Sequence, residues 1–364
     1  MKKYLDKKQI RNVLYGATFL GSGGGGSLDE GLKLLNQLDD DIKLELIDPD
    51  DMEENLFAAS IGGIGAPKAM SEFKFGPEAV YAYEGMEKIA FLGGKKIGYT
   101  MGGELGGFNT MVPIYVSLKK NIPFVNGDGN GRAVPELSTG LQPINDVLPN
   151  PLVVAGANGD TVFISINDPK DHKSAENLSR HVSMANGMSA GFCTWLATGK
   201  DVINKLAPYT ITECEKIGKA ITSSKDGLVD IENKINKIKE CKLVCSGKIV
   251  DIEVKTDAGF DFGKTVIEGK GQFSNSKYEI FFKNENLLIT ENEEKTLLTV
   301  PDMLCMIDSD SNKPITNADT KVGMNIGIYS TFAPKNWWTL GKGFDNWKHI
   351  LEKIGYHGDV VKFK

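Results

Sequence analysis

Three glycine-rich segments in the N-terminal part of the chain carry the side chains best suited to chemistry. In chain order they are Gly21-Ser22-Gly23-Gly24-Gly25-Gly26-Ser27, Gly102-Gly103-Glu104-Leu105-Gly106-Gly107-Phe108-Asn109 and Asn126-Gly127-Asp128-Gly129-Asn130-Gly131-Arg132-Ala133-Val134-Pro135-Glu136. Glycine permits positive φ and lets backbone N–H groups approach a ligand closely, and carboxylates held in such turns can transfer protons. We therefore expect the functional centre of the protein in these three segments.

The first segment could bind an anion through its backbone. It lies between two predicted helices, and Ser27 or Asp29 stands near the start of the second, so its N–H groups could cradle an anion at a helix N-terminus. It is neither a Walker A loop, because no Gly-Lys-Ser/Thr ends it, nor a Rossmann fingerprint, because it follows a helix. The alternative is a flexible connector, although ordering so many glycines costs considerable entropy. The predicted substrate contacts are four consecutive glycines: Gly23, Gly24, Gly25 and Gly26.

The second segment offers a carboxylate and an amide just after a predicted strand. In open α/β sheets, ligands gather at the carboxyl ends of the strands, which is where Glu104 and Asn109 stand. The structural alternative is a tight turn in which Asn109 or Thr110 caps the following helix. We predict Glu104 as a catalytic residue and Asn109 as a substrate-binding residue.

The third segment follows another short predicted strand and contains two carboxylates and a guanidinium. It superficially resembles a calcium loop, but an EF-hand places glycine sixth and a bidentate Glu twelfth, between two helices. We predict Asp128 as a base or metal ligand, Arg132 as a planar clamp for an anion, and Glu136 as a further catalytic carboxylate. The structural alternative is a solvated turn with an Arg–Glu pair, worth under about 1 kcal/mol if exposed.

Histidine and cysteine add one candidate metal ligand. None of the four histidines forms an H-x-x-x-H or H-x-H pair, but His181 lies in a predicted helix of small residues that could pack against the loops. Asp128, Glu104 and His181 are therefore the candidate ligands of a divalent metal ion, the one cofactor that the side chains suggest. The alternative for His181 is an ordinary hydrogen-bonded helical residue. Cys193, twelve residues later on a similar predicted face, is a candidate nucleophile.

An α/β layered domain, residues 1–240, is predicted to position these segments. Helix-like and strand-like stretches alternate along it, which is typical of a largely parallel sheet covered by helices. Asp6 can cap the first helix, and Thr212-x-x-Glu215 is a capping-box pattern for a later one. Asn158-Gly159-Asp160 predicts an antiparallel hairpin. The predicted strands are 43–47, 57–61, 96–101, 123–125, 151–155 and 161–166, and predicted helices include 78–92, 110–120 and 174–198.

Residues 241–364 are predicted to form a β-rich second domain, because the sequence pattern changes near Cys241. Short β-branched or alternating segments follow one another at close intervals, separated by Gly, Asn, Asp and Ser, which indicates a small barrel or sandwich. A closing helix over 347–354 could return the last segment to the first domain. The predicted strands are 242–254, 260–268, 277–283, 287–290, 303–307 and 323–330.

Length, charge and cysteine content narrow the class of protein. A chain of 364 residues favours two domains. The formal net charge is −6 and no basic stripe is interleaved with aromatic residues, so a nucleic-acid partner is not expected. No stretch approaches a transmembrane length, and charged residues interrupt the N-terminal apolar patch, so neither a membrane partner nor a signal peptide is expected. Five scattered cysteines suit a reducing compartment, so we expect buried thiols and a cytoplasmic location.

Taken together, the three segments resemble the S-methyl-thiohydantoin desulfurase-like family, long catalogued as a domain of unknown function. Later segments resemble its second domain: Lys283-Asn284-Glu285-Asn286, Pro301-Asp302-Met303 and Ile307-Asp308. The resemblance implies an N-terminal α/β domain and a C-terminal β-rich domain. It also implies hydrolytic work on a five-membered cyclic amide or thioamide with a sulfur leaving group, and a partner of the hydantoinase/oxoprolinase type.

The predicted function is therefore a hydrolase-type enzyme acting on a small cyclic amide or thioamide. Asp128 or Glu104 would activate water, directly or through a divalent metal, while Arg132 holds the substrate's anionic part. One alternative is a non-catalytic ligand-binding or accessory partner of a hydantoinase-type enzyme. Another is a phosphate- or nucleotide-binding enzyme that uses the glycine run. A homo-oligomer is a further candidate assembly.

Overall fold

The computed structural model describes residues 3–65, 75–257, 260–339 and 342–364, which form one nine-stranded and one eight-stranded sheet with helices. None of the described helices is long and apolar enough to cross a bilayer. The helices are α1 (Lys7–Leu20), α2 (Leu28–Asn36), α3 (Pro77–Leu92), α4 (Gly107–Lys120), α5 (Leu141–Ile144), α6 (His172–Ala185), α7 (Gly199–Lys205), α8 (Thr210–Thr222), α9 (Leu228–Ile235), α10 (Asn336–Thr339) and α11 (Lys348–Lys353).

The strands divide between the two sheets in chain order. The first sheet contains β1 (Lys3–Leu5), β2 (Leu44–Ile47), β3 (Leu56–Gly65), β4 (Lys96–Gly102), β5 (Phe124–Asp128), β6 (Leu152–Ala155), β7 (Thr161–Ile164), β8 (Ser189–Ala197) and β9 (Ala207–Pro208). The second contains β10 (Cys241–Asp257), β11 (Phe260–Gly269), β12 (Lys277–Lys283), β13 (Glu285–Glu291), β14 (Lys295–Thr299), β15 (Met303–Asp308), β16 (Lys313–Pro314) and β17 (Asn325–Thr331).

The first sheet has a parallel centre, as predicted. Its order is β1-β2-β5-β4-β3-β8-β6-β7, with β9 paired to β5. The pairs β2–β5, β5–β4 and β4–β3 are parallel, and the pairs outside them are antiparallel. The predicted α/β domain is thereby confirmed, and so is the hairpin, since β6 and β7 pair across the turn. The carboxyl ends of β4 and β5 meet, with Gly102 opposite Asp128.

The cap of the first helix is also as predicted. The Asp6 side chain accepts a hydrogen bond from the Gln9 backbone N–H, and the Gln9 side chain accepts one from the Asp6 N–H. This reciprocal arrangement satisfies two N–H groups that have no partner within the helix. The buried side of the helix then packs against α8, the element that runs beneath it.

The predicted long helix over 174–198 is wrong. The chain forms α6 and then β8, because Gly187 and Met188 both adopt positive φ, 68° and 64°, and end the helix. The small residues that suggested close helix packing instead lie in β8, a largely buried strand packed against α3, where a β-carbon on Gly191 would overlap the Glu78 carbonyl. Cys193 therefore lies inside the sheet rather than on a helix face shared with His181.

The predicted capping box at Thr212 is wrong as well. Helix α8 begins at Thr210, after Tyr209 in the left-handed region. The Thr212 N–H instead donates a hydrogen bond to Asn126 Oδ1 of strand β5, at 2.9 Å. A tertiary contact has taken the place of the local cap.

The second domain is β-rich, as predicted. Its strands form one sheet in the order β14-β13-β12-β11-β10-β17-β15-β16, and every described pair in it is antiparallel. The six predicted strands are present, and β14 and β16 are additional short ones. All five cysteines are buried free thiols, as the composition suggested.

Two glycines set the distance between α1 and α8, which together support the glycine run and β5. A β-carbon on Gly16 would overlap the Cys214 carbonyl, and one on Gly218 would overlap the Asn12 carbonyl. The backbones are therefore in direct contact, and neither position has room for a methyl group. Each helix thus places a glycine against the backbone of the other helix, and we expect a substitution at either glycine to push the helices apart.

Gly218→Ala is expected to lower the free energy of unfolding by about 1–3 kcal/mol, the usual cost of overpacking. Alanine's better helix propensity, about 1 kcal/mol, offsets only part of it. Denaturant unfolding measures the change. Gly93→Ala is the matched control, because its β-carbon would meet nothing closer than 3.5 Å. Equal stability of the two variants would contradict the proposed close contact.

Candidate functional site

The second and third glycine-rich segments are joined at the carboxyl edge of the parallel strands. The Gly129 N–H donates to the Gly102 carbonyl at 3.0 Å, and Asn130 Nδ2 donates to the Gly103 carbonyl at 2.8 Å. Adjacent parallel strands end on the same edge, so their following loops are neighbours. Glu104 and Asp128 are thereby brought to one region, as the sequence predicted.

The glycine run lies directly against the second segment. The Asn109 N–H donates to the Gly25 carbonyl at 3.1 Å, and a β-carbon on Gly106 would overlap that same carbonyl. Gly23, Gly25 and Gly26 have φ of 90°, 75° and 75°, so the run needs glycine for its conformation as well as for its close contacts. Gly26 is exposed, whereas Gly23, Gly24 and Gly25 are buried.

The other side of the glycine run is covered by the second domain. The Asn286 N–H donates to the Ser22 carbonyl at 2.8 Å, and the Asn317 N–H donates to the Gly23 carbonyl at 2.8 Å. Ser22 Oγ also accepts from the Leu304 N–H at 3.0 Å. The three predicted segments therefore form one cluster, and the second domain closes it.

Glu104 is a half-buried residue that brings a carboxyl to this cluster. Its Oε2 accepts a hydrogen bond from the Val134 N–H at 2.8 Å, and its Oε1 accepts one from Asn109 Nδ2. Burial raises the pKa of Glu104 to about 7, against the lowering effect of these two hydrogen bonds, and the nearby Asp128 raises it further. A carboxyl with this pKa exists in both protonation states near neutral pH.

Asp128 lies in the interior of the protein. It is fully buried, and its Oδ1 accepts from the Asn130 and Gly131 N–H groups at 2.7 Å each. Burial raises the pKa of Asp128 to about 6, and the Thr210 hydroxyl lies close enough to lower it. Oδ2 and that hydroxyl nevertheless make no well-oriented hydrogen bond to any described residue. A cavity of about 180 Å³, lined by Thr210 and Gly131 among others, lies on this side.

Arg132 occupies the interior between the two domains. Its Nη1 donates to the Pro301 carbonyl at 2.7 Å, its Nη2 to the Asn286 carbonyl at 3.3 Å, and its guanidinium stacks 4.8 Å from the ring centroid of Trp347. Burial lowers the pKa of Arg132 to about 10, opposed by the neighbouring carboxylates, so it remains a cation near neutral pH. In this position Arg132 connects the domains, and its role as an anion clamp stays a prediction.

Glu136 forms an ion pair with the second domain. Its Oε1 contacts Lys283 Nζ, and its Oε2 contacts His349 Nε2 at 3.3 Å and accepts from Ser138 Oγ at 3.0 Å. Burial raises the pKa of Glu136, but the hydrogen bonds from His349 and Lys283 outweigh it and hold the pKa well below its usual range. Glu136 is therefore a carboxylate at neutral pH, and its catalytic role stays a prediction.

The candidate metal ligands do not form a metal centre. His181 is exposed on α6, where its Nδ1 lies 2.7 Å from the Asn177 carbonyl oxygen. Across 3–65, 75–257, 260–339 and 342–364, no group of three or more His, Cys, Asp or Glu residues is arranged to hold a metal ion. Asp128, Glu104 and His181 therefore do not fit a divalent metal ion as a set of ligands.

Sequence reasoning missed one carboxyl of the site, Glu285. It begins β13 and is only 3% exposed, and its Oε1 lies so close to Gly24 that a β-carbon there would overlap it. Burial and the charge of Glu104 raise the pKa of Glu285 well above its usual value, while Arg132 opposes the shift. The segment containing Glu285 supported the family resemblance, but only the folded structure places it beside the glycine run.

These features define a two-domain protein, α/β and antiparallel β, with a cluster of carboxyls at the domain junction. The N-terminal domain of the S-Me-THD-like family matches residues 8–166, and the C-terminal domain of that family matches residues 170–346. The chain belongs to the S-Me-THD-like family, so the predicted resemblance is confirmed. The matches meet between 166 and 170, ahead of the second sheet, and the domain boundary predicted near 240 stays a prediction.

A solved structure shares the complete fold. The crystal structure of a protein from Chromobacterium violaceum is similar over 100% of both chains, with a TM-score of 0.87 and 21% sequence identity. At this identity the likeness shows the fold alone. No curated relative matches the chain.

Proposed function

We propose that this protein is a hydrolase-type enzyme for a small cyclic amide or thioamide of the hydantoin or thiohydantoin kind. The observation that supports this most is the carboxyl of the half-buried Glu104, which lies at the carboxyl edge of the sheet, is fixed by two hydrogen bonds and has a pKa of about 7. A general base is most effective when its pKa lies near the working pH. The family description, S-Me-THD-like, is consistent with this class of substrate.

The proposed reaction uses Glu104 as a proton shuttle. The carboxylate removes a proton from water as the water oxygen bonds to the ring carbon, and the resulting carboxylic acid returns that proton to the leaving sulfur or nitrogen as its bond to carbon breaks. Asn109 and the Val134 N–H hold the carboxyl in one orientation throughout. The exposed Gly26 and the half-buried Gly103 supply backbone beside it for substrate contact.

The remaining predicted site residues support Glu104 in this proposal. Burial raises the Glu104 pKa most, and the negative charge of Asp128 adds to this increase. Arg132 and Glu136 hold the second domain over the glycine run through their contacts with Pro301 and Lys283. In this proposal the backbone of Gly23, Gly24 and Gly25 lies between the second domain and the side of the cluster where the substrate binds.

The purified chain alone is expected to consume at least one ring in a panel of hydantoin, 2-thiohydantoin and S-methyl-thiohydantoin. Substrate loss is followed by chromatography, and released thiol by a chromogenic thiol reagent. Turnover that appears only when a hydantoinase-type enzyme is added would favour the accessory role instead. Stabilisation by nucleotides, without turnover of any ring, would favour a nucleotide-binding role.

A further inference from the structure

The second domain places a buried carboxyl at the site that the proton shuttle does not use. Glu285 is 3% exposed, and its Oε2 makes no hydrogen bond to any residue in the described ranges. Leaving an ionised carboxylate buried without a partner is costly, so such a group either ionises beside a cation or keeps its proton. The arrangement around Glu285 decides between these two states.

Glu285 and the loop that follows Glu104 lie against consecutive residues of the glycine run. The Glu285 carboxyl rests on Gly24, and the Glu104 loop rests on Gly25, whose carbonyl contacts Gly106. The Cα atoms of consecutive residues are about 3.8 Å apart. The two carboxyl-bearing segments, one from each domain, thus contact neighbouring glycines of the run.

The charges around the pair do not balance two carboxylates. Besides each other, the charged groups that act on Glu104 and Glu285 include Asp128, Arg132 and Lys283. Lys283 is engaged by Glu136, Asp128 adds negative charge, and Asp302 also acts on Arg132, the cation that Glu104 and Glu285 share. Its own hydrogen bonds end on backbone carbonyls rather than on either carboxyl. With both carboxyls ionised, the cluster would carry excess buried negative charge.

We propose that Glu285 is a positioning residue for Glu104, held as a neutral carboxylic acid against the glycine run beside Arg132. This inference rests on the proposed function of Glu104. A neutral Glu285 removes one buried negative charge that would compete with Glu104 for Arg132, so that Glu104 can ionise near neutral pH. Its side chain also holds Gly24 and Gly25 against the loop that carries the base. The direction of its pKa, well above the usual value, agrees with this state.

Glutamine mimics a neutral carboxylic acid, so Glu285→Gln is expected to keep kcat within about threefold of the wild type. The acidic limb of the kcat/KM profile should stay within about half a pH unit, because no charge has been removed near Glu104. Glu285→Ala should lower kcat by about tenfold or more, because the run loses its support. Glu279→Gln, a buried glutamate on the preceding strand, is the control. A limb shifted by one unit or more in Glu285→Gln overturns the proposal.

Infrared difference spectroscopy tests the same proposal without any substrate. At about one unit above the Glu104 pKa of about 7, the wild type should show a carboxylic-acid C=O band that Glu285→Gln lacks. The absence of that band overturns the neutral Glu285, even if a ring is turned over normally. A band that disappears in Glu285→Gln, in a protein that turns over no ring, supports the inference and rejects the proposed function instead.

Discussion

Replacing Glu104 with glutamine is expected to lower kcat by about 100-fold or more, the usual scale of general-base effects. The fold should be retained, because a glutamine oxygen can accept from the Val134 N–H while its amide donates to a rotated Asn109 side chain. The loss would therefore report the missing proton acceptor rather than a disturbed loop. Steady-state kinetics on a ring consumed by the wild type measures it, with Glu279→Gln as the control.

The same variant is expected to change how stability depends on pH. The folded-state pKa of Glu104, about 7, lies above its unfolded value, so the folded protein binds more protons between these two pKa values. The free energy of unfolding should therefore fall as pH rises through this window and level off above it. Glu104→Gln should remove this fall, on the order of 1–3 kcal/mol, as measured by denaturant unfolding at several pH values.

Unchanged turnover in Glu104→Gln would remove this residue from the mechanism. If the pH dependence of stability were the same in this variant and the wild type, burial would not be raising the pKa of the Glu104 carboxyl. Retained or, above the Glu104 pKa, increased stability with lost activity is the expected combination, because a buried carboxyl with a raised pKa destabilises the fold when it ionises. A variant that lost both equally would indicate a structural role.

The part of the site that the N-terminal domain supplies could be predicted, because local sequence patterns determine it. Hydrophobic runs followed by glycine located β4 and β5, and strands of one parallel sheet must end on a common edge. Glu104 and Asp128 followed from that rule. The part that the second domain supplies depends on tertiary contacts, since nothing in the sequence near Glu285 indicates that its carboxyl meets Gly24.

The wrong predictions have the same origin. Residues 174–198 have small side chains that suit either a packed helix or a buried strand, and the positive φ at Gly187 and Met188 decided for a strand after α6. Thr212 matched a local cap, but Asn126 satisfied its N–H from the neighbouring sheet. The anion-clamp role of Arg132, in contrast, stays a prediction, although its hydrogen bonds to distant carbonyls could be seen only in the folded chain.

Arg132→Met is expected to lower the free energy of unfolding by about 3–5 kcal/mol, the range for removing one partner of a buried charged network. The Pro301 and Asn286 carbonyls would lose their donor, and Glu104 and Glu285 would lose the cation that they share. Denaturant unfolding measures the change. Arg11→Met, at an exposed position on α1, is the control and should stay within about 0.5 kcal/mol.

The combination of Arg132→Met with Glu285→Gln separates the two parts of this effect. If Glu285 is already neutral, removing its ability to ionise should restore little stability, and the loss would come mainly from the unsatisfied carbonyls, about 1–3 kcal/mol each. If Glu285 is ionised beside Arg132, the double variant should recover much of the loss, because the uncompensated charge disappears. A double-mutant cycle therefore tests both the domain connection and the protonation of Glu285, since each makes a different prediction for the coupling energy.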